Sequence, residues 1–417
     1  MKEIVKRVQE KQLKNGLKLI LLPVARSFTF TVNVSLSLGN LYEEPAKLGI
    51  SSLLQESILK GTQHRNASEF AKTLESFGAS ARSSANYFTG KLIFEGPAQN
   101  WQAILELFFE AITKPAFLEE EVEKEKNYAL SVLASLDDDP LKAAFMRFKK
   151  AFFGEHPYAF SSLGKIDTLQ NLSRDEILNW YQRVYVPNNM VVAIAGNFEP
   201  QKLLEAFELQ TENLPPLPAP EIQGGNLENF RPGSQKIIER KKIKDSWLVL
   251  GYPAPSITDF KGKVAFDIVN NLLGGSMYSR LFLKVRETEG WSYEVGSIFL
   301  PLVGPSFICA YCGFPAVYFD KAVATLRKEF QEVTNLKREE FEETKNYTRG
   351  TLLQSLETPS GLAALFSFYE KIGLGWDFVF RYEELLRKIK LNEVKDIYAS
   401  YIGSKEAIGA VIPESQQ

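Results

Sequence analysis

Cysteine and histidine are almost missing from this 417-residue chain, and their scarcity removes whole classes of chemistry before any motif is weighed. The two cysteines, Cys309 and Cys312, lie in Ser306-Phe-Ile-Cys-Ala-Tyr-Cys-Gly313. That spacing belongs to redox pairs and zinc knuckles, but the flanking residues read as a strand. Side chains three apart on a strand point to opposite faces, so structural thiols are expected. Histidine occurs only at His64 and His156, too far apart to form a helical ligand pair. His156, beside Pro157, reads as a structural loop residue, and His64, after a turn, as exposed. No run of ~18 apolar residues is present to cross a membrane. The segment Met1 to Lys11 carries charge without the apolar core of a signal peptide, so a cytoplasmic protein is expected. Neither sign of charge dominates: 49 Lys and Arg face 51 Asp and Glu, for a formal net charge of -2. Nucleic acid and anionic membrane therefore have no electrostatic claim as partners.

What is present is ordinary globular material, 45% apolar and 24% charged, in a chain too long for one hydrophobic core. One plan of elements is used twice. Asn15-Gly16 marks a tight turn, and Phe28 to Leu38 alternates apolar and small polar residues as a strand with one buried and one wetter face. Helices follow at about 45–60 and 67–77, strands near 79–87 and 90–96, and helices at about 100–113, 118–136 and 141–152. An apolar strand, Asn189 to Gly196, closes the first set. Residues 211–235 are rich in Pro and Gly and read as a linker, giving a first domain over 1–212, a connection over 213–235 and a second domain over 236–417. In the second half come a strand at 246–252, helices at 262–273 and 277–288, strands near 291–299 and 304–313, and helices at 318–334 and 337–356. Lys126-Asn127-Tyr128 recurs as Lys345-Asn346-Tyr347, and Pro140 recurs as Pro359 at the same offset, which supports a duplication. Runs of strands followed by helices predict an α+β fold with a largely antiparallel sheet in each half. The acidic run Glu119 to Glu125, interleaved with Lys124 and Lys126, reads as a solvated helix face.

Several segments together resemble a known family. Leu48-Gly49 with Leu59-Lys-Gly-Thr62 resembles the stretch that carries the H-x-x-E-H motif in zinc metallopeptidases of the pitrilysin/insulinase type. Asp138-Asp-Pro140, Phe153-Gly-Glu-His-Pro-Tyr158, Leu163-Gly164 and Val186 to Phe198 continue in family order. In the second half, Ser279 to Glu287 with Gly290 and Tyr293 resembles the other family signature, and the short branch that includes the mitochondrial processing peptidases is the most similar. The resemblance implies two homologous domains forming half of a clamshell chamber. It also implies a site of two imidazoles, a Glu acting as base on zinc-bound water, and a distal Glu ligand. Counting back from Lys60-Gly61-Thr62 and from Pro140, those four positions hold Ser52, Gln55, Glu56 and Val132. A hydroxyl, an amide, one carboxylate and an alkyl group make no zinc site.

The second half keeps what the first has lost. Arg286 and Tyr293 have the spacing of the family's Arg/Tyr pair, which the resemblance places opposite the metal, where Arg would hold a substrate carbonyl and Tyr an oxyanion. Without the family, an Arg in the last turn of a helix and a Tyr opening a strand read as dipole complement and packing. Gly274, Gly275 and Ser276 form a glycine turn that resembles a shortened version of the glycine-rich loop of the family's non-catalytic processing subunit, and so are candidate substrate contacts; a plain helix-linking turn is the other reading. The combination predicts a non-catalytic subunit of a heterodimeric metallopeptidase. It would hold no cofactor itself, bind peptide or unfolded protein, and lend Arg286 and Tyr293 to zinc on a homologous partner. A scaffold subunit, or a peptide-binding homodimer without catalysis, is the alternative.

Overall fold

The computed structural model describes residues 2–223, 227, 230–403 and 405–414; residues 224–226 and 228–229 of the expected linker lie outside the described residues. The chain divides into two compact units, neither of them continuous in sequence. The first comprises residues 1–133, 161–224 and 354–381, and the second residues 134–160, 225–353 and 382–417.

The sheet of the first unit contains β1 (Gln9–Gln12), β2 (Lys18–Pro23), β3 (Thr29–Ser37), β4 (Ser80–Ala85), β5 (Thr89–Pro97) and β6 (Met190–Gly196), in the order β1-β2-β6-β3-β5-β4. All its pairings are antiparallel except β2 with β6. Asn15 and Gly16 make the expected turn between β1 and β2: Gly16 has φ 94° and Asn15 Oδ1 accepts from the Leu17 amide at 3.1 Å. On β3, Phe30, Val32, Val34 and Leu36 are buried as the alternation predicts, but Phe28 is not part of the strand and is 92% exposed. The other face of β3 is not wet either, since Thr31, Asn33 and Ser35 are all buried. Helix Pro359–Lys371 covers it, with Ser367 Oγ 2.9 Å from Ser35 Oγ.

The sheet of the second unit contains β7 (Lys236–Lys241), β8 (Ser246–Ala254), β9 (Glu294–Leu300), β10 (Ser306–Phe314) and β11 (Ala407–Pro413), in the order β7-β11-β8-β10-β9. Again one pair, β7 with β11, is parallel and the rest antiparallel. Helix Pro140–Phe153 lies on this sheet, against β8 and β11. Its approach is so close that a Cβ on Gly409 would stand 2.0 Å from the Phe148 amide nitrogen. Each compact unit therefore takes one covering helix from the part of the sequence that otherwise builds the other unit.

Duplication extends through this detail. Five strands have the same order and the same single parallel pair in both sheets. Pro140 and Pro359 each open a covering helix after a side-chain cap, Asp139 and Thr358 respectively. Lys126 pairs with Glu123 one turn back, and Lys345 pairs with Glu342 likewise. Among the described residues no helix is long and apolar enough to cross a membrane.

The expected helix over 277–288 is the clearest departure from the sequence reading. Residues 276–279 are turn and bend, and Phe282–Thr288 is wound as a π-helix. Such wide turns carry poorer packing and recur at functional positions.

Candidate functional site

In the first unit the residues of interest lie on helix Ile50–Ser57, which begins after Gly49 at φ 103°. The start of this helix is held by a buried acid: Glu43 accepts from the amides of Gly49 at 2.8 Å and Ser51 at 2.9 Å. Burial pushes the Glu43 carboxyl up to about 7, against the opposing effect of those hydrogen bonds. Ser51 Oγ in turn accepts from Trp180 Nε1 at 3.1 Å.

Each of the four candidate positions has a definite occupation. Ser52 is buried and its hydroxyl donates to the Ser162 carbonyl at 2.6 Å. Gln55 is fully buried, and its Oε1 accepts from both Ser83 Oγ at 2.8 Å and Tyr185 OH at 2.7 Å. Its Nε2 has no partner and lies against β5, where a Cβ on Gly90 would come within 2.5 Å of it. Burial drives the Tyr185 hydroxyl far above the ordinary phenol range, so it remains a donor. Glu56 alone is exposed. The protein around it still desolvates its carboxyl enough to raise the pKa, the Glu125 charge adds to that, and Lys60 opposes both. Val132, half-buried on helix Glu119–Ser135, offers no side-chain donor.

This donor set does not suit zinc. The Ser52 hydroxyl and the Gln55 carbonyl are already committed to other partners, and one carboxylate cannot hold the ion tightly. Sequence reasoning missed Glu125, which is two helical turns before Val132 and pairs with Lys60 at 2.8 Å. The seven-residue spacing was the available signal. Nor is the acidic run on this helix a wholly solvated face. Lys126 is buried and donates to the Leu172 carbonyl at 3.1 Å, because the helix turns that side into the unit.

In the second unit Gly274 and Gly275 follow helix Phe260–Leu273. A Cβ on Gly274 would stand 2.2 Å from the Ser297 amide nitrogen, and one on Gly275 would stand 2.6 Å from Asn271 Oδ1. Close packing onto β9 and onto the helix end is thus the local reason for both glycines. Ser276 Oγ reaches back to the Asn271 carbonyl at 3.5 Å, a long contact.

Arg286 belongs to the π-helical segment and is exposed. Its guanidinium lies over the Phe282 ring, 4.8 Å from the centroid, and Nη1 donates to the Tyr293 carbonyl at 3.3 Å. The Tyr293 side chain, just before β9, is 86% exposed. The loop between them is anchored by Trp291, which is buried and donates through Nε1 to Glu289 at 2.7 Å; Glu289 also pairs with Lys321 at 2.7 Å. Arg286 therefore meets the backbone of Tyr293, while the phenol is left free to project.

The scarce residues have structural surroundings. Cys309 and Cys312 are buried and unbridged on β10, with burial raising both thiols well above their usual range. His156 is packed among the rings of Phe153, Tyr158 and Phe230, and burial lowers it to about 4; His64 is exposed.

Both halves of the chain are similar to known proteins. The family described as Insulinase (Peptidase family M16) matches residues 24–165, and the one described as Peptidase M16 inactive domain matches residues 171–348. An uncharacterized zinc protease of Rickettsia bellii is 26% identical over 415 residues, spanning 96% of each chain. The zinc protease PqqE of Helicobacter pylori is 25% identical over 370 residues, covering 86% of this chain and 82% of that protein. Among solved structures, a protease from Helicobacter pylori superposes with a TM-score of 0.88 at 21% identity, covering 97% of this chain and 99% of that one. A peptidase M16 inactive domain from Pseudomonas fluorescens superposes with a TM-score of 0.89 at 19% identity, covering 98% of both. With both halves matched in order and the duplicated sheets in place, the chain belongs to the M16, or pitrilysin/insulinase, peptidase family.

Proposed function

We propose that this chain is a non-catalytic subunit of a two-chain zinc peptidase. It binds peptide substrate and presents Arg286 and Tyr293 to a zinc site on a homologous partner that carries H-x-x-E-H. The observation that carries this reading is the commitment of Ser52 and Gln55 to internal hydrogen bonds, which leaves Glu56 as the one open donor at the motif positions, too few to hold a metal tightly. The exposed Arg286 and the projecting Tyr293 phenol support it from the other side. The partner supplies the Lewis acid and the base; this chain supplies a guanidinium fork for a substrate carbonyl and a phenol for the oxyanion. Closure of the two chains around a chamber, and a cytoplasmic location, belong to the same proposal.

The test is reconstitution. The chain is to be copurified with a homologue encoding an intact H-x-x-E-H motif, and peptide hydrolysis measured. Arg286→Ala and Tyr293→Phe should each lower kcat by about 10²-fold or more, the scale of losing one oxyanion donor. Full activity in both variants would refute the shared site and favour a scaffold role.

A further inference from the structure

Away from the motif positions, a cleft of about 1320 Å³ opens in the second unit. Its walls are the end of helix Phe260–Leu273 with the turn after it, the π-helical segment, and helices Phe319–Glu332 and Arg338–Ser355. Helix Phe260–Leu273 packs on edge strand β9 and helix Leu391–Tyr401. Helix Ile50–Ser57 packs on edge strand β4 and helix Arg174–Val184 in the same way. By the duplication, the cleft is thus the second unit's version of the place where the first unit carries its motif residues.

The lining is chemically uneven. Met277 and Tyr278 are 78% and 76% exposed, and Leu283 and Tyr347 add further open apolar surface. Of the three lining cations two are already neutralised: Arg280 makes a two-pronged pair with Glu340 at 2.5 and 2.6 Å, and Lys284 pairs with Glu329 at 2.6 Å. Lys337 is exposed and, among the described residues, in no ion pair, but the five lining carboxylates Glu329, Glu332, Glu339, Glu340 and Glu343 outnumber the cations. Among the described residues Glu339 and Glu343 have no ion-pair partner, and both are exposed. Open carboxylates beside open aromatic faces attract a cation on an apolar stem by charge and through the ring quadrupole.

We propose that this cleft docks an unfolded peptide segment carrying Lys or Arg next to an aromatic or aliphatic residue. The peptide nature of the occupant rests on the function proposed above; the cleft's preference for a cation rests on its own lining. The trial uses the isolated chain, so its failure is distinct from a failure of trans catalysis, which Arg286→Ala reads in the reconstituted pair. A fluorescein-labelled hexapeptide of alternating Arg and Phe is titrated and followed by anisotropy at low and high salt. Saturable binding that weakens with salt is expected. Glu339→Gln combined with Glu343→Gln should weaken it about tenfold. Tyr347→Lys, which puts a cation in the cleft without removing a carboxylate, should weaken it at least as much. Both variants change exposed side chains, and unchanged melting confirms their fold. Equal binding by wild type and both variants would overturn the proposal. So would equal binding of a peptide with Gln in place of every Arg, or displacement by spermine as readily as by unlabelled peptide.

Discussion

Replacing Gln55 by Ala probes what has become of the position where active relatives of this fold would need their base. The Gln55 carbonyl oxygen is the acceptor for two hydroxyls, Ser83 Oγ and Tyr185 OH. Ser83 is half-buried and finds water once the amide is gone, so its loss costs little. Tyr185 is buried, and its hydroxyl would be left without an acceptor, which costs about 1–3 kcal/mol. Removing the rest of the side chain from a fully buried position adds roughly 1–2 kcal/mol of lost packing. The sum is roughly 2–5 kcal/mol, and removing the unpartnered Nε2 donor returns about 1 kcal/mol of it, leaving roughly 1–4 kcal/mol, a large part of the stability of an ordinary domain. Urea denaturation followed by tryptophan fluorescence measures it. Ser52→Ala, which removes one hydroxyl donor bonded to a carbonyl, serves as the milder comparison and should cost about 1 kcal/mol. A Gln55→Ala protein within about 0.5 kcal/mol of wild type would refute the argument that this residue is now structural.

Glu43 gives a pH test whose sign is fixed by its shift. Its carboxyl is raised from 4.5 to about 7 in the folded chain, so its protonated form favours folding. That contribution is complete below pH 4.5 and is lost as pH rises through about 7, a change of as much as about 3 kcal/mol. Glu43→Gln should remove the slope, and the gap between variant and wild type in urea midpoint at pH 5 and pH 8 checks it. Gly274→Ala forces a Cβ against the backbone of β9 and should cost roughly 1–3 kcal/mol. Gly350→Ala has open space around it inside helix Arg338–Ser355 and should gain about 0.5–1 kcal/mol, with both read from thermal melts.

Local pattern was a sound guide wherever one element carries its own signal. The alternation over Val32, Val34 and Leu36, the Asn15-Gly16 turn and the helix expected at about 141–152 all stand where their residues imply. Pattern failed where the cause lies far away in the chain. Helix Pro140–Phe153 is visibly amphipathic, yet nothing local says that its apolar face belongs to β8 and β11. Ser35 and Asn33 look solvent-facing because helix Pro359–Lys371, which buries them, comes more than 300 residues later. Strand β7 alternates half-buried and exposed residues at a sheet edge, and so gave little contrast to read. The site behaves the same way. The loss of metal ligands could be read from Ser52, Gln55, Glu56 and Val132, but the new employment of Gln55 depends on Tyr185, which lies 130 residues away. The turn at Gly274 admitted two readings, substrate contact or plain helix link, because its reason for glycine, the backbone of β9, is also distant.

Zinc analysis of the pure chain, paired with a peptide-cleavage assay before and after adding an H-x-x-E-H homologue, tests the central claim most directly. The account predicts far less than one ion per chain after dialysis, no cleavage alone, and cleavage once the homologue is present. One tightly held ion per chain together with cleavage by the chain alone would contradict it.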